Sequence, residues 1–312
     1  MSGLPPYVFA GRTAVLTGAA SGIGEQLAHG LAARGSDLVL VDRDAERLDA
    51  VAGAIHSAYP GRAVELLVAD LADRDAVVST ARRIRAAHPS IGLLINNAGI
   101  ALGGMFEHLS VPEFESVIDV NFRAPVLLTH ELLPALLAAP GSHLVNVSSL
   151  YGLIAPPGQS AYSASKFALR GFSEVLRSEL AGRVGVTTVH PGGIRTRIAE
   201  SARIGAAVPT DMIESHQELF RALLTYPPEK AAREILDGVQ RRRARVLIAF
   251  SAKLPALLAR LMPVSHMRVI EALTAVAARG AARAGSVPAG SSPAAPVPAP
   301  VVASPDGGTT RS

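Results

Sequence analysis

Short runs rich in Val, Leu and Ile recur along the chain, each followed by a longer stretch in which apolar residues return every three or four positions. This alternation predicts βαβ units. Candidate strands fall at residues 13–17, 37–41, 65–68, 93–96, 143–147, 185–190 and 245–249. None of them alternates apolar with polar positions, which is the pattern of strands covered on both faces of a parallel sheet. The expected fold class is α/β: a single doubly wound, Rossmann-like parallel sheet of about seven strands with helices on both faces. The intervening helices carry apolar stripes, for example Leu27, Leu31 and Ala32, ending at Arg34-Gly35, where glycine can adopt the left-handed cap.

Three segments break the alternation. Residues 197–226 show little strand signal and interpose about thirty residues before the helix start Pro227-Pro228-Glu229, a length that suits a substrate lid. Residues 253–279 have helical periodicity, with Leu254, Leu257, Leu258, Leu261 and Met262 on one side and Lys253 and Arg260 available for the other. That stripe fits a core-covering helix, a subunit contact or a membrane-surface helix, and packing on the protein's own surface is the commonest fate. Residues 285–312 are dominated by Ala, Pro, Ser, Val and Gly and read as a disordered tail. The expected organisation is a catalytic domain over 8–250, an apolar helical extension over 251–284, and the tail.

Composition narrows the chemistry. Among 312 residues there is no cysteine, which removes disulfides, thiolate nucleophiles, Cys-ligated zinc and iron–sulfur clusters. The net charge of +4 is a thin excess, and the densest basic run, Arg241, Arg242, Arg243 and Arg245, has no interleaved aromatic residues to stack bases, so no nucleic-acid partner is expected. The start, MSGLPPYVFAGR, lacks a signal-peptide pattern, and no uncharged apolar run approaches the ~20 residues of a membrane span; a cytoplasmic location is expected. His88, His108, His130 and His143 have no metal-ligand spacing, so no metal is expected, and His190 before Pro191 reads as structural.

The first strand runs into Gly18-Ala19-Ala20-Ser21-Gly22-Ile23-Gly24 and then a helix starting near Glu25. Glycines there allow a tight turn and close approach of backbone N–H groups to a pyrophosphate, with the helix N-terminus adding positive potential. Asp42 stands 18 residues after Gly24, at the end of the second strand, where an acidic residue binds ribose hydroxyls and repels a 2′-phosphate. This favours NAD, although Arg43 beside it could grip that phosphate and admit NADP.

The order of motifs then resembles the short-chain dehydrogenase/reductase family over roughly residues 10–250: Thr17–Gly24, Asp70-Leu71, Asn96-Asn97-Ala98-Gly99, Asn121, Ser149, Tyr162-x-x-x-Lys166 and Pro191-Gly192-Gly193-Ile194-Arg195-Thr196. The resemblance implies that Asp70 and Leu71 border the adenine, that Asn97, Ala98 and Gly99 support the cofactor with Ser21, Gly22 and Ile23, and that Pro191, Gly192, Ile194 and Thr196 lie along its nicotinamide end. It also implies that Asn121 anchors a water in a proton relay through Lys166, and that dimers or tetramers are common.

The acid–base chemistry follows from the residues. Tyr162 and Lys166 share a helix face, and a nearby ammonium lowers a phenol's pKa toward the working range. Ser149, just past the fifth strand, can hydrogen-bond a substrate oxygen at the carboxyl end of the sheet. The expected function is NAD(P)-dependent interconversion of a secondary alcohol and a ketone. Leu102, Met105, Phe106, Tyr151, Pro156 and Pro157 around the site favour a hydrophobic substrate. The competing readings are a redox-sensing regulator that binds nucleotide without turnover and a membrane-surface reductase anchored through 253–279.

Overall fold

A computed structural model describes residues 3–196, 203–209 and 224–270. Strands β1 (Thr13–Thr17), β2 (Asp37–Asp42), β3 (Val64–Val68), β4 (Leu93–Asn96), β6 (Ser142–Val147), β7 (Val184–Pro191) and β9 (Arg245–Ile248) form one seven-stranded sheet. Its order is β3-β2-β1-β4-β6-β7-β9, and every pairing is parallel. All seven expected strands are present within two residues of their predicted ends. The order reverses between β1 and β4, so a ligand crevice is expected beyond their carboxyl ends.

Alternate side chains of each strand feed two cores. Leu16, Leu38, Leu40, Ile95 and Val189 join α1 (Gly22–Ala33), α2 (Ala45–Ala58) and α7 (Pro228–Gln240) on one face. Val15, Val39, Leu94, Leu144 and Val186 join α3 (Arg74–Ala87), α5 (Ala124–Ala138) and the end of α6 (Ser160–Glu179) on the other. Helix α1 begins at Gly22, a turn earlier than the sequence suggests, and ends as expected with Gly35 at a φ of 87°.

Between α4 (Val111–Ile118) and α5 the chain makes a π-turn over Asp119–Arg123, a wider helical turn that commonly marks functional sites. The four-ahead partner of Asn121 is Pro125, which has no N–H, so the Asn121 carbonyl lacks its ordinary helical donor.

Of the 197–226 insert, 203–209 and 224–226 lie among the described residues. There β8 (Arg203–Ile204) pairs in parallel with β5 (Leu102–Gly103), a small second sheet that two-residue strands give too little pattern to predict. Leu102, expected at a pocket wall, is instead buried in a small cluster with Val117 and Ala161.

The periodicity over 253–279 is not one helix. Helix α8 runs Phe250–Leu261 and stops at Met262 (φ −131°, ψ 66°), because Pro263 disfavours helical backbone in the residue before it. Helical structure resumes at 266–270, and 271–279 lies outside the described residues, as does the expected tail. Of that stripe, Leu254, Leu257 and Leu261 are exposed while Leu258 and Met262 are half-buried, and Ala252 is the residue that α8 buries fully. Among the described residues no helix is long and apolar enough to cross a membrane.

Candidate active site

The Gly-rich turn is built by close backbone packing. Gly18 has a φ of 66° and sits where a Cβ would lie 2.8 Å from the Ala98 Cα, and a side chain on Gly24 would collide with the Gly18 carbonyl. Gly22 (φ 58°) is covered by Thr196, whose side chain would stand 3.0 Å from an added Cβ, so the 191–196 loop closes over the start of α1. Asn97 ties the turn to β4: its Nδ2 donates to the Thr17 and Gly18 carbonyls at 3.1 Å each, and the Thr17 hydroxyl accepts from the Asn97 and Ala98 amides.

These residues fit a dinucleotide on the structure's own terms. Ser21 caps α1 without a side-chain hydrogen bond, so the first amides of the helix, on Gly22, Ile23 and Gly24, keep their donors available to an anion. A cleft of about 540 Å³ adjoins them, lined in part by Ser21, Gly22, Glu25, Arg47, Arg195 and Glu229; none of Asp42, Asp70, Asn121, Ser149, Tyr162 and Lys166 lines it.

At the end of β2, Asp42 is half-buried and fixed. Its Oδ2 accepts from the Ala20 amide at 3.0 Å and its Oδ1 from the Asp44 amide at 3.1 Å, so the carboxylate is held against the Gly-rich turn. Arg43 is exposed beside it. Asp70 follows β3, its Oδ1 accepting from the Ala72 amide at 2.9 Å, while the Leu71 side chain is buried in the core on the α3 and α5 face.

Ser149, Tyr162, Lys166 and Asn121 converge at the carboxyl ends of β4 and β6. Ser149 opens a short 3₁₀ turn, Leu150–Gly152, and its Oγ accepts from the Tyr151 amide at 3.1 Å. His190 on β7 holds the Ser149 carbonyl through Nδ1 at 2.9 Å. Tyr162 and Lys166 lie one turn apart on α6, and the Lys166 Nζ stands 5.7 Å from the Tyr162 ring centroid while donating to the Val147 carbonyl at 3.0 Å. A Cβ on Gly99 would lie 3.2 Å from both that Nζ and the Asn121 Oδ1, so the chain passes close between them.

One expectation changes here. The Lys166 ammonium does not dominate the Tyr162 phenol: burial pushes Tyr162 up to about 12, the hydrogen bond from Ser149 pulls the other way, and neighbouring Tyr151 adds to the rise. Burial also brings Lys166 down to about 8. Its Nζ is tied to a strand carbonyl rather than to the phenol oxygen, and that leaves desolvation the larger effect. The Asn121 side chain is not available for a water, because Oδ1 accepts from the Ile100 amide at 2.8 Å and Nδ2 donates to the Ile100 carbonyl and to the Ser165 Oγ. What Asn121 can offer is its main-chain carbonyl in the π-turn.

Three supporting residues make contacts that the motifs do not carry. Ser165 links Asn121 to α6, its hydroxyl donating to the Tyr162 carbonyl at 2.7 Å. Tyr151, expected only as a pocket neighbour, packs edge-on against Tyr162 with centroids 6.0 Å apart. His190 anchors Ser149 across strands. Ser165, three positions after Tyr162, carries a helix-periodic signal; the other two are contacts that spacing does not encode.

A family model described as short chain dehydrogenase matches residues 12–206. A Mycobacterium tuberculosis protein named as an oxidoreductase, SadH, is 41% identical over 269 residues, spanning 85% of this chain and 95% of that one. Among solved structures, a short-chain dehydrogenase/reductase from Burkholderia phymatum in complex with NAD superimposes with a TM-score of 0.75 at 27% identity, covering 81% of this chain and 94% of that one. A short-chain dehydrogenase from Sphingobium yanoikuyae in complex with NADPH gives 0.67 at 30% identity, covering 90% and 98%. Fold, site and sequence therefore agree that the chain belongs to the short-chain dehydrogenase family.

Proposed function

We propose that this protein is an NAD(P)-dependent oxidoreductase that interconverts a hydrophobic secondary alcohol and its ketone. The observation that carries the reading is the convergence of Ser149, Tyr162 and Lys166 beside a phosphate-binding turn with unpaired amides. The amides of Gly22 and Ile23 would hold the pyrophosphate, Asp42 a ribose, and the 191–196 loop the nicotinamide end. Bound NAD(P) supplies the hydride acceptor for oxidation or the hydride donor for reduction.

Tyr162 takes the hydroxyl proton of the alcohol as hydride leaves the carbinol carbon, and returns a proton to the carbonyl oxygen in the reverse direction. The Ser149 hydroxyl donates to that oxygen and steadies the charge that develops on it. Lys166 lies near the Tyr162 ring and would carry protons to and from the site, and the Asn121 carbonyl offers an acceptor for a water leading away from the Lys166 ammonium. Met105 and Phe106, 44% and 72% exposed, give the rim the apolar character that suits a hydrophobic substrate.

NAD is the favoured cofactor, because the carboxylate of Asp42 is pinned at the Gly-rich turn while Arg43 is exposed. A homo-oligomer is supported by the outward stripe of Ala164, Phe167, Gly171 and Val175 on α6. The test is a reduction screen of NAD and NADP over secondary alcohols of graded size. We expect turnover with bulky apolar alcohols and a higher kcat/KM for NAD, and we expect Asp42→Ala to move that ratio toward NADP by about a hundredfold as a like-charge clash is removed. Nucleotide binding with no turnover across the panel overturns the enzyme reading; NADP preference in the unaltered protein overturns the role given to Asp42.

A further inference from the structure

Helix α8 presents one apolar edge to solvent, while Leu258 beside it is half-buried. Phe250, Leu254, Leu257 and Leu261 fall within an arc of about 60°. They are 73%, 38%, 53% and 68% exposed, and Val264 just beyond is 94% exposed. The residue that α8 buries is the small Ala252. From Phe250 to Ile270 the chain carries Lys253, Arg260 and Arg268 and no carboxylate. None of these three cations enters an ion pair among the described residues.

We propose that α8 docks the enzyme on an anionic membrane surface, with its leucines in the headgroup–acyl boundary and its cations on lipid phosphates. An apolar stripe beside an excess of positive charge, three cations over Phe250–Ile270 against one carboxylate just beyond at Glu271, is the composition of a helix that lies in a bilayer interface. Charge selects this occupant over a second copy of the same face, which would set Lys253, Arg260 and Arg268 against their own equivalents.

The position of α8 deepens the proposed function and rests on it. Ala249, whose φ of 66° is rare for a residue with a Cβ, turns the chain from β9 into α8 at the carboxyl end of the sheet. There Ser251 Oγ accepts from the Gly193 amide at 3.2 Å, and α8 packs beside the Leu150–Gly152 turn that follows Ser149. The membrane-facing stripe thus begins next to the catalytic rim, and the substrate class it implies is an alcohol or ketone dissolved in the bilayer.

The experiment uses the full chain with bound nucleotide and vesicles of phosphatidylcholine alone or with phosphatidylglycerol added. The chain contains no tryptophan, so an L257W reporter is unambiguous. Expected are co-sedimentation with the anionic vesicles, weakened by salt, and a blue shift of the reporter. L254E/L261E should lose on the order of tenfold or more in partitioning, and K253E/R260E on the order of tenfold, with nucleotide binding retained in both.

Absence of sedimentation, or sedimentation that L254E/L261E leaves unchanged, overturns the proposal. So does self-association abolished by L254E/L261E without vesicle binding, which assigns the face to a second copy. Hydride exchange with a water-soluble ketone, run without vesicles, reports the oxidoreductase reading separately. L254E/L261E should slow turnover of a vesicle-borne ketone alone; equal loss on both ketones overturns the delivery role.

Discussion

Two tyrosines in this molecule sit beside cations, and their surroundings differ. At the amino end of the sheet, Tyr7 is 2% exposed, with the Arg12 and Arg242 guanidiniums 5.4 and 5.1 Å from its ring centroid. Its hydroxyl has no hydrogen-bond partner, and burial holds it far above the ordinary phenol range despite both arginines. At the carboxyl end, Tyr162 has one cation near its ring, but it is half-buried and its hydroxyl meets Ser149. A cation near a phenol therefore does not make a catalyst. Access for substrate and a polar partner that favours the ionised form separate Tyr162, to which we assign the acid–base role, from Tyr7.

The sharpest way to break this contrast is to delete each hydroxyl. Tyr162→Phe should lower kcat/KM by roughly 10²–10⁴-fold with nucleotide affinity unchanged, the span expected of a lost general acid–base. Turnover within a few-fold of the unaltered enzyme would make Tyr162 as structural as Tyr7. Ser149→Ala comes next, with a loss of about 10²-fold for removing a donor to the developing oxyanion. Because the Ser149 hydrogen bond lowers the Tyr162 pKa, removing it should also move the rising limb of the oxidation profile to higher pH. A shift to lower pH contradicts the partnership.

Both ends also carry a buried neutral histidine. His143 accepts from Arg242 at Nδ1 and shares Nε2 with the Thr187 hydroxyl, and burial with the arginine charge brings it down to about 3. Burial brings His190 down to about 4. Between their unfolded value near 6.5 and those values the unfolded chain binds more protons, so stability falls as the solution is acidified. Each histidine contributes a slope of about 1.4 kcal/mol per pH unit. Denaturant titrations between pH 6.5 and 4 should show this loss, and a flat profile would contradict the neutral, buried assignment. The smallest effect expected is from Tyr7→Phe, which removes an unpaired buried hydroxyl and should leave turnover intact while stabilising the fold by about 1 kcal/mol. A destabilised variant would mean that the hydroxyl is paired.

The sheet was legible because strands buried on both faces read as unbroken apolar runs, and β1, β4 and β6 lie within a residue of where those runs predict. The Gly-rich turn and the Tyr162-Lys166 pair were legible because glycine at a strand–helix junction and a helical i, i+4 spacing are local patterns. What was not legible depends on contacts between distant segments. No spacing shows that Asn121 spends its side chain on Ile100 and Ser165, nor that Lys166 is tied to the Val147 carbonyl. The direction of the Tyr162 shift followed burial, which a motif does not encode. In α8 the period was visible but not which way it faced, since an apolar stripe carries no address; the break at Met262, by contrast, could have been read from Pro263.

The most direct test of the central claim is transfer of label from a secondary alcohol deuterated at the carbinol carbon, followed to C4 of the nicotinamide in the unaltered protein and in Tyr162→Phe. The arrangement of Ser149, Tyr162 and Lys166 predicts label transfer in the first and almost none in the second, with equal nucleotide binding. Nucleotide binding without label transfer in the unaltered protein, or undiminished transfer in Tyr162→Phe, would contradict it.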